Sequence, residues 1–340
     1  MPNTASSSRS QRLSAGWPAR DSVPGMLGSL FLVAAGALLL ALAGDRLVDS
    51  AVVLARKARL TPAVIGLTIV AAGTSLPELF VSATAALAGT PEIALGNVIG
   101  SNIANVGLVL GVCALVATIP VGRGILRFDY PVMLAVSLAL PPICWNGILS
   151  RLEGALAVAV LIGYLAWSLA LARRAAGSLP AAGALPAAAL GSHSWALLLW
   201  LLAAFAGLGL GARFLVIGAV DIARALGISE RVVGLTIVAV GTSLPELVAS
   251  AAAALKQQHD MAVANIVGSN LFNLLGILGV TALIRPLAVD PAMLRFDIPV
   301  MIGFALLLLP MLRDLVLSRA EGGVLLACYA AYLAALARTG

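Results

Sequence analysis

Long apolar runs, broken only by short polar clusters, set the rhythm of this chain. They fall near residues 26–44, 62–88, 91–119, 124–147 and 152–172, and again near 194–212, 230–255, 261–284, 292–312 and 322–338. Each approaches the ~20 residues that an α-helix needs to cross a bilayer. The pattern predicts ten transmembrane helices, an all-α polytopic membrane protein. Residues 1–25, Ser-rich and basic, predict a disordered polar tail, and the Ala/Pro/Gly stretch 174–193 a short linker. The run at 26–44 could pass for a signal peptide, but it exceeds the usual core of about 7–15 residues. It also has a counterpart mid-chain, so it reads as a span.

The runs are not independent of one another. GLTIVAAGTSLPELFVS (66–82) returns as GLTIVAVGTSLPELVAS (234–250), identical at 14 of 17 positions. GNVIGSNIANVGLVLG (96–111) answers ANIVGSNLFNLLGILG (264–279), and RFDYPVM (127–133) answers RFDIPVM (295–301), all at one offset of 168 residues. The chain therefore divides into two homologous five-helix halves, 26–173 and 194–340. An odd number of crossings makes the second half enter from the opposite side, so the repeats are inverted. Inverted repeats around a midplane ion site are a recurring design of secondary transporters.

Composition agrees. Apolar residues make up 61% and charged residues 11%, against about 45–50% and about 25% in soluble domains. The net charge of +6 comes from basic residues scattered through short loops. They flank membrane spans and form no patch for nucleic acid. Cys113, Cys144 and Cys328 lie in apolar stretches without the spacing of a disulfide framework or zinc knuckle, and read as buried thiols.

Against this background Glu78 and Glu246 stand out. A charge near the bilayer centre costs about 2.5–3.5 kcal/mol on insertion scales, so such residues mark ion or substrate pathways. In GTSLPE, Thr74 and Ser75 precede Glu78 by four and three residues and share its helix face. Pro77 supplies no N–H to the Gly73 carbonyl, so the helix bends or breaks there. Thr242, Ser243, Pro245 and Glu246 repeat the arrangement. Ser101 with Asn105, and Ser269 with Asn273, add further oxygens one helical turn apart, while Asn102 and Asn270 point elsewhere and brace the fold. These are hard donors, suited to calcium and sodium. Other readings stay open: structural carboxylates, hydroxyls bonded back to their own helix, and asparagines as interhelical glue. Asp129 and Asp297 read as charges at a helix start and not as ligands.

The twin GTSLPE and GSNxxN segments resemble the two alpha repeats of the sodium/calcium exchangers, within the calcium/cation antiporter superfamily. The resemblance implies Ca2+ and Na+ as transported substrates, no cofactor, and a multi-pass protein of the plasma membrane that functions as a monomer. It places the cation ligands on Glu78, Glu246, Thr74, Ser75, Thr242 and Ser243, on the backbone carbonyls of Ala71 and Ala239, and on Ser101, Asn105, Ser269 and Asn273. The short linker leaves no room for the cytosolic regulatory domains of animal exchangers, so the form is the simpler prokaryotic one.

One position departs from the family's common pattern. Asn273 stands where sodium/calcium exchangers commonly carry an acid, so the set holds two full negative charges. One Ca2+ neutralises them and three Na+ leave plus one. Calcium/proton antiport on the same two glutamates is the alternative. A carrier for organic solutes would need aromatic or Arg clamps, and the repeated segments hold one aromatic each, Phe80 and Phe272, and no arginine. An intramembrane enzyme would need a base to activate Ser75 or Ser243, and the spans hold no histidine or lysine for it.

Overall fold

The computed structural model describes residues 25–89, 91–175, 194–227 and 239–339. The predicted tail and linker, and the first part of the predicted span at 230–255, fall outside the described residues. Within them the architecture is helical. In the first half, α1 spans Met26–Lys57, α2 Pro62–Thr74, α3 Leu76–Leu87, α4 Ile93–Val116, α5 Tyr130–Ile143 and α6 Arg151–Ala175. In the second half, α7 spans Ser194–Ala225, α8 Ala239–Thr242, α9 Leu244–Leu255, α10 His259–Ile284, α11 Ile298–Met311 and α12 Arg319–Thr339.

Length and hydropathy alone make seven of these helical stretches long enough to span a membrane. The pair α2 and α3, bent by 42° at their junction, makes an eighth. α11 counts among the seven together with its π-helical turn, as Met293–Met311. The predicted crossing at 230–255 is described only from residue 239, with α9 at 12 residues, and α5 has 14 after a π-helical turn at Ile125–Asp129.

Burial sorts the helices into a centre and a lipid-facing ring. In α4 and α10, 78% and 83% of the most apolar stretch is buried, against 17% in both α6 and α12. The ring helices are apolar on their outer faces as well, because hydrocarbon is their solvent. α1 and α7 pack along each other antiparallel, with Ser29 against Gly218 and Ala43 against Gly207. Their buried side chains, Leu40, Leu47, Leu201 and Leu208 among them, form a cluster apart from the larger core around α4 and α10.

The repeats exchange their ends. α6 of the first half packs on the end of α10, and α12 of the second half on the end of α4. Glycine makes both crossings possible: a Cβ at Gly154 would stand 2.7 Å from the Gly279 carbonyl, and one at Gly322 2.8 Å from that of Gly111. Each pair is the repeat image of the other. Two short antiparallel bridges follow the same rule, β1 (Ile119–Pro120) with β4 (Val316–Leu317) and β2 (Ile148–Leu149) with β3 (Leu287–Ala288).

Two sequence expectations are corrected. Cys328 is exposed on the outer face of α12, while Cys113 and Cys144 are buried. Asp129 and Asp297 do not stand at helix starts, because π-helical turns at Ile125–Asp129 and Met293–Asp297 continue into α5 and α11. Each carboxylate instead accepts a hydrogen bond from a tyrosine of the last helix in its own half, Tyr164 at 2.7 Å and Tyr332 at 2.9 Å.

Candidate cation-binding site

The GTSLPE segment folds as its sequence dictates. α2 ends at Thr74, Ser75 sits at φ −84°, ψ 6°, and α3 restarts with Pro77 in its first turn. Proline is tolerated there because the first-turn N–H groups have no intrahelical partner. The second copy repeats this at Ser243 (φ −90°, ψ 4°), between α8 and α9. The break brings Glu78 and Glu246 into the first turns of α3 and α9, where both are buried, at 1% and 0% exposure. A carboxylate in a helix's first turn gains from the N-terminal dipole, which offsets part of the cost of burying it.

The two halves meet across these breaks. Ser75 Oγ donates to Glu246 Oε1 at 2.9 Å, a bond that spans the repeats. Thr74 is buried and bonds back to Val70 and Ala71 carbonyls at 3.1 and 3.3 Å, keeping lone pairs free. Thr242 is half-buried. The Ala71 carbonyl already accepts from the Ser75 N–H at 3.1 Å, and the Ser243 N–H donates to the Val240 carbonyl at 3.1 Å.

α4 and α10 supply the amides. Ser101, Asn105, Ser269 and Asn273 are all buried, and the two asparagines begin or lie within π-helical turns, Asn105–Leu110 and Phe272–Ile277. Such turns recur at functional sites because one extra residue re-aims the side chains on either side. Asn105 Nδ2 donates to Asn270 Oδ1, and Asn273 Nδ2 to Asn102 Oδ1, both at 3.1 Å. Thus Asn102 and Asn270 brace the predicted ligands across the repeats, as well as the fold.

What remains unpaired is informative. Both Glu78 oxygens, Glu246 Oε2, Asn105 Oδ1, Asn273 Oδ1, Ser243 Oγ and Ser269 Oγ are buried without a hydrogen-bond partner. A buried polar group left unpaired costs about 1–3 kcal/mol, more when charged. Seven such oxygens on the predicted ligand set make a donor array that a hard cation would satisfy.

Other residues around the glutamates escaped the sequence reading. Asn97 Nδ2 donates to the Glu78 carbonyl at 3.2 Å and to Ser82 Oγ at 3.0 Å, and Asn265 Nδ2 donates to Ser250 Oγ at 2.9 Å. These tie α4 to α3 and α10 to α9 beside each glutamate. The signal was present in the repeat itself, since Asn97 and Asn265 occupy matching places in GNVIGSN and ANIVGSN.

Comparison with known proteins agrees with this architecture. The family model described as sodium/calcium exchanger protein matches residues 28–170 and again 196–338. The sodium/calcium exchanger MaX1 of Methanosarcina acetivorans is 34% identical over 346 residues, covering 92% of this chain and 97% of its own. The inner membrane protein YrbG of Escherichia coli is 38% identical over 289 residues, covering 82% of this chain and 86% of its own. The solved sodium-calcium exchanger NCX_Mj superposes with a TM-score of 0.78 at 32% identity, over 92% of this chain and 99% of its own. The chain thus belongs to the sodium/calcium exchanger family, a multi-pass membrane cation antiporter of the calcium/cation type and not an enzyme.

Proposed function

We propose that the protein exchanges Ca2+ for Na+ by alternating access, with ten crossings in two inverted five-helix repeats (26–173 and 194–340) and the ions held midway between them. Glu78 and Glu246 supply the charge. Thr74, Ser75, Thr242, Ser243, Ser101, Asn105, Ser269, Asn273 and the carbonyls of Ala71 and Ala239 complete the shell. The observation that carries this reading is that seven oxygens of those side chains, both of Glu78 among them, are buried without a hydrogen-bond partner. One Ca2+ balances two carboxylates, and Na+ fits the same oxygen donors. All ligands come from one chain, so a monomer suffices. The inner-membrane placement of the YrbG relative supports a plasma-membrane location.

Proton coupling on the same glutamates is the second reading. Asn273 in place of an acid favours it, because it leaves two carboxylates to carry every charge. The test is flux in proteoliposomes loaded with Na+ and given labelled Ca2+ outside. Uptake that needs the Na+ gradient and is lost in both Glu78→Gln and Glu246→Gln is the expected result. Uptake driven by a pH gradient alone selects the proton-coupled form, and unchanged uptake in either variant removes that glutamate from the site.

A further inference from the structure

The third repeated segment, RFDxPVM, finds no place in the ion site, yet its last residue reaches the asparagines around it. Met301 Sδ lies 3.7 Å from Asn102 Nδ2, and Met133 Sδ 3.6 Å from Asn270 Nδ2. Asn102 Nδ2 also points at the Asn270 main-chain carbonyl, 3.5 Å away. A thioether sulfur and a carbonyl oxygen accept hydrogen bonds and have no proton to give.

This fixes a direction. A carboxamide has one end that donates and one that accepts, and its orientation follows from its partners. With acceptors behind it, Asn102 turns its NH2 toward them and its Oδ1 forward. That oxygen takes the Asn273 NH2, so Asn273 Oδ1 is the end left facing the site. The mirror chain runs from Met133 through Asn270 to Asn105, whose Oδ1 is likewise buried and unpartnered. Reversing a whole chain would set an amide oxygen against the acceptors behind it and aim an NH2, positive at its hydrogens, at the cation.

We propose that Asn102 and Asn270, backed by Met301 and Met133, form a polarity relay that turns the carboxamide oxygens of Asn273 and Asn105 toward the transported cation. Asn102 and Asn270 are positioning residues that act through the ligands of the opposite repeat. The relay rests on the reading of Asn105 and Asn273 as ligands. It gives this chain a way to use a neutral amide at position 273: the relay supplies by orientation what an acid supplies by charge.

A mutant cycle on Ca2+ half-saturation in Na+-loaded proteoliposomes tests it, using Asn273→Ala, Asn102→Leu and the double variant. Loss of an oriented ligand or of its support raises half-saturation by about 10–100-fold, with the maximal rate per folded molecule little changed. Once Asn273→Ala has removed the oxygen, adding Asn102→Leu raises half-saturation no further. Should Asn102→Leu not survive purification, Met301→Leu, which keeps the volume and loses the acceptor, runs the same cycle with a smaller rise. Half-saturation unchanged in the relay variant, or a double variant that multiplies the two single effects, overturns the relay. Unchanged half-saturation in Asn273→Ala overturns the ligand reading on which it stands.

Discussion

Ser75 and Ser243 occupy equivalent positions, yet only Ser75 bonds the glutamate of the other half. A hydrogen bond to a charged group contributes about 1.5–3 kcal/mol. Ser75→Ala therefore lowers the melting temperature of the ion-free protein in detergent, whereas Ser243→Ala leaves it nearly unchanged. On the proposed ligand set, Ser243→Ala instead reduces the rise in melting temperature on adding Ca2+, since a ligand oxygen raises stability only when its ion is bound. Thermal scans with and without Ca2+ separate the two, and equal effects in both variants would mean the serines act alike. At this scale the carboxylates were legible because a charge inside an apolar run has few explanations. The asparagines and methionines of the relay were not: a buried amide is as often a brace as a ligand, and a methionine reads as filler in a core. Their roles lie in direction, which only neighbouring atoms define.

The helices themselves were largely legible, since an apolar run near 20 residues admits little else. The break at Pro77 followed from its missing N–H and appears as a 42° bend. The π-helical turns at Asn105 and Phe272 escaped notice, because one added residue per turn leaves no mark on composition. Nor were the two-residue bridges readable, since their partners lie nearly 140 and 200 residues apart in sequence. Packing between elements gives its own prediction. A Cβ at Gly154 meets the Gly279 carbonyl at 2.7 Å and the Ala282 Cβ at 2.9 Å, while one at Gly163 on the same helix meets nothing within 4 Å. Gly154→Ala destabilises by about 1–3 kcal/mol through overpacking. Gly163→Ala is neutral or stabilising by up to about 1 kcal/mol, because alanine is the better helix former. Melting of the two purified variants side by side checks the contrast, and equal stability would show that the crossing has room to spare.

Across the whole molecule the two halves share one plan, and some contacts among the described residues lack a counterpart in the other half. Lys256 at the end of α9 reaches Asp45 and Asp49 on α1, with Nζ 2.6 Å from a carboxylate oxygen of each. The matching positions in the other half are Ala88, Arg213 and Ile217, so this bridge has no twin. Its members are partly exposed, with side chains at 28%, 55% and 46%, and an exposed pair contributes about 0–1 kcal/mol. Lys256→Ala therefore shifts the ratio of Ca2+ half-saturation at the two membrane faces by no more than about fivefold. Uptake by right-side-out and inverted vesicles measures that ratio, and a larger shift would mean that Lys256 holds more than this ion pair.

An exchanger made of two identical inverted halves would be degenerate: its inward and outward forms would be one object viewed from opposite leaflets, equally populated. Each contact without a twin lifts that degeneracy by its own free energy. The Lys256 bridge does so weakly and the Ser75–Glu246 bond more strongly. The contacts that lack a twin thus decide where the unloaded carrier rests, and which compartment's ions it meets first.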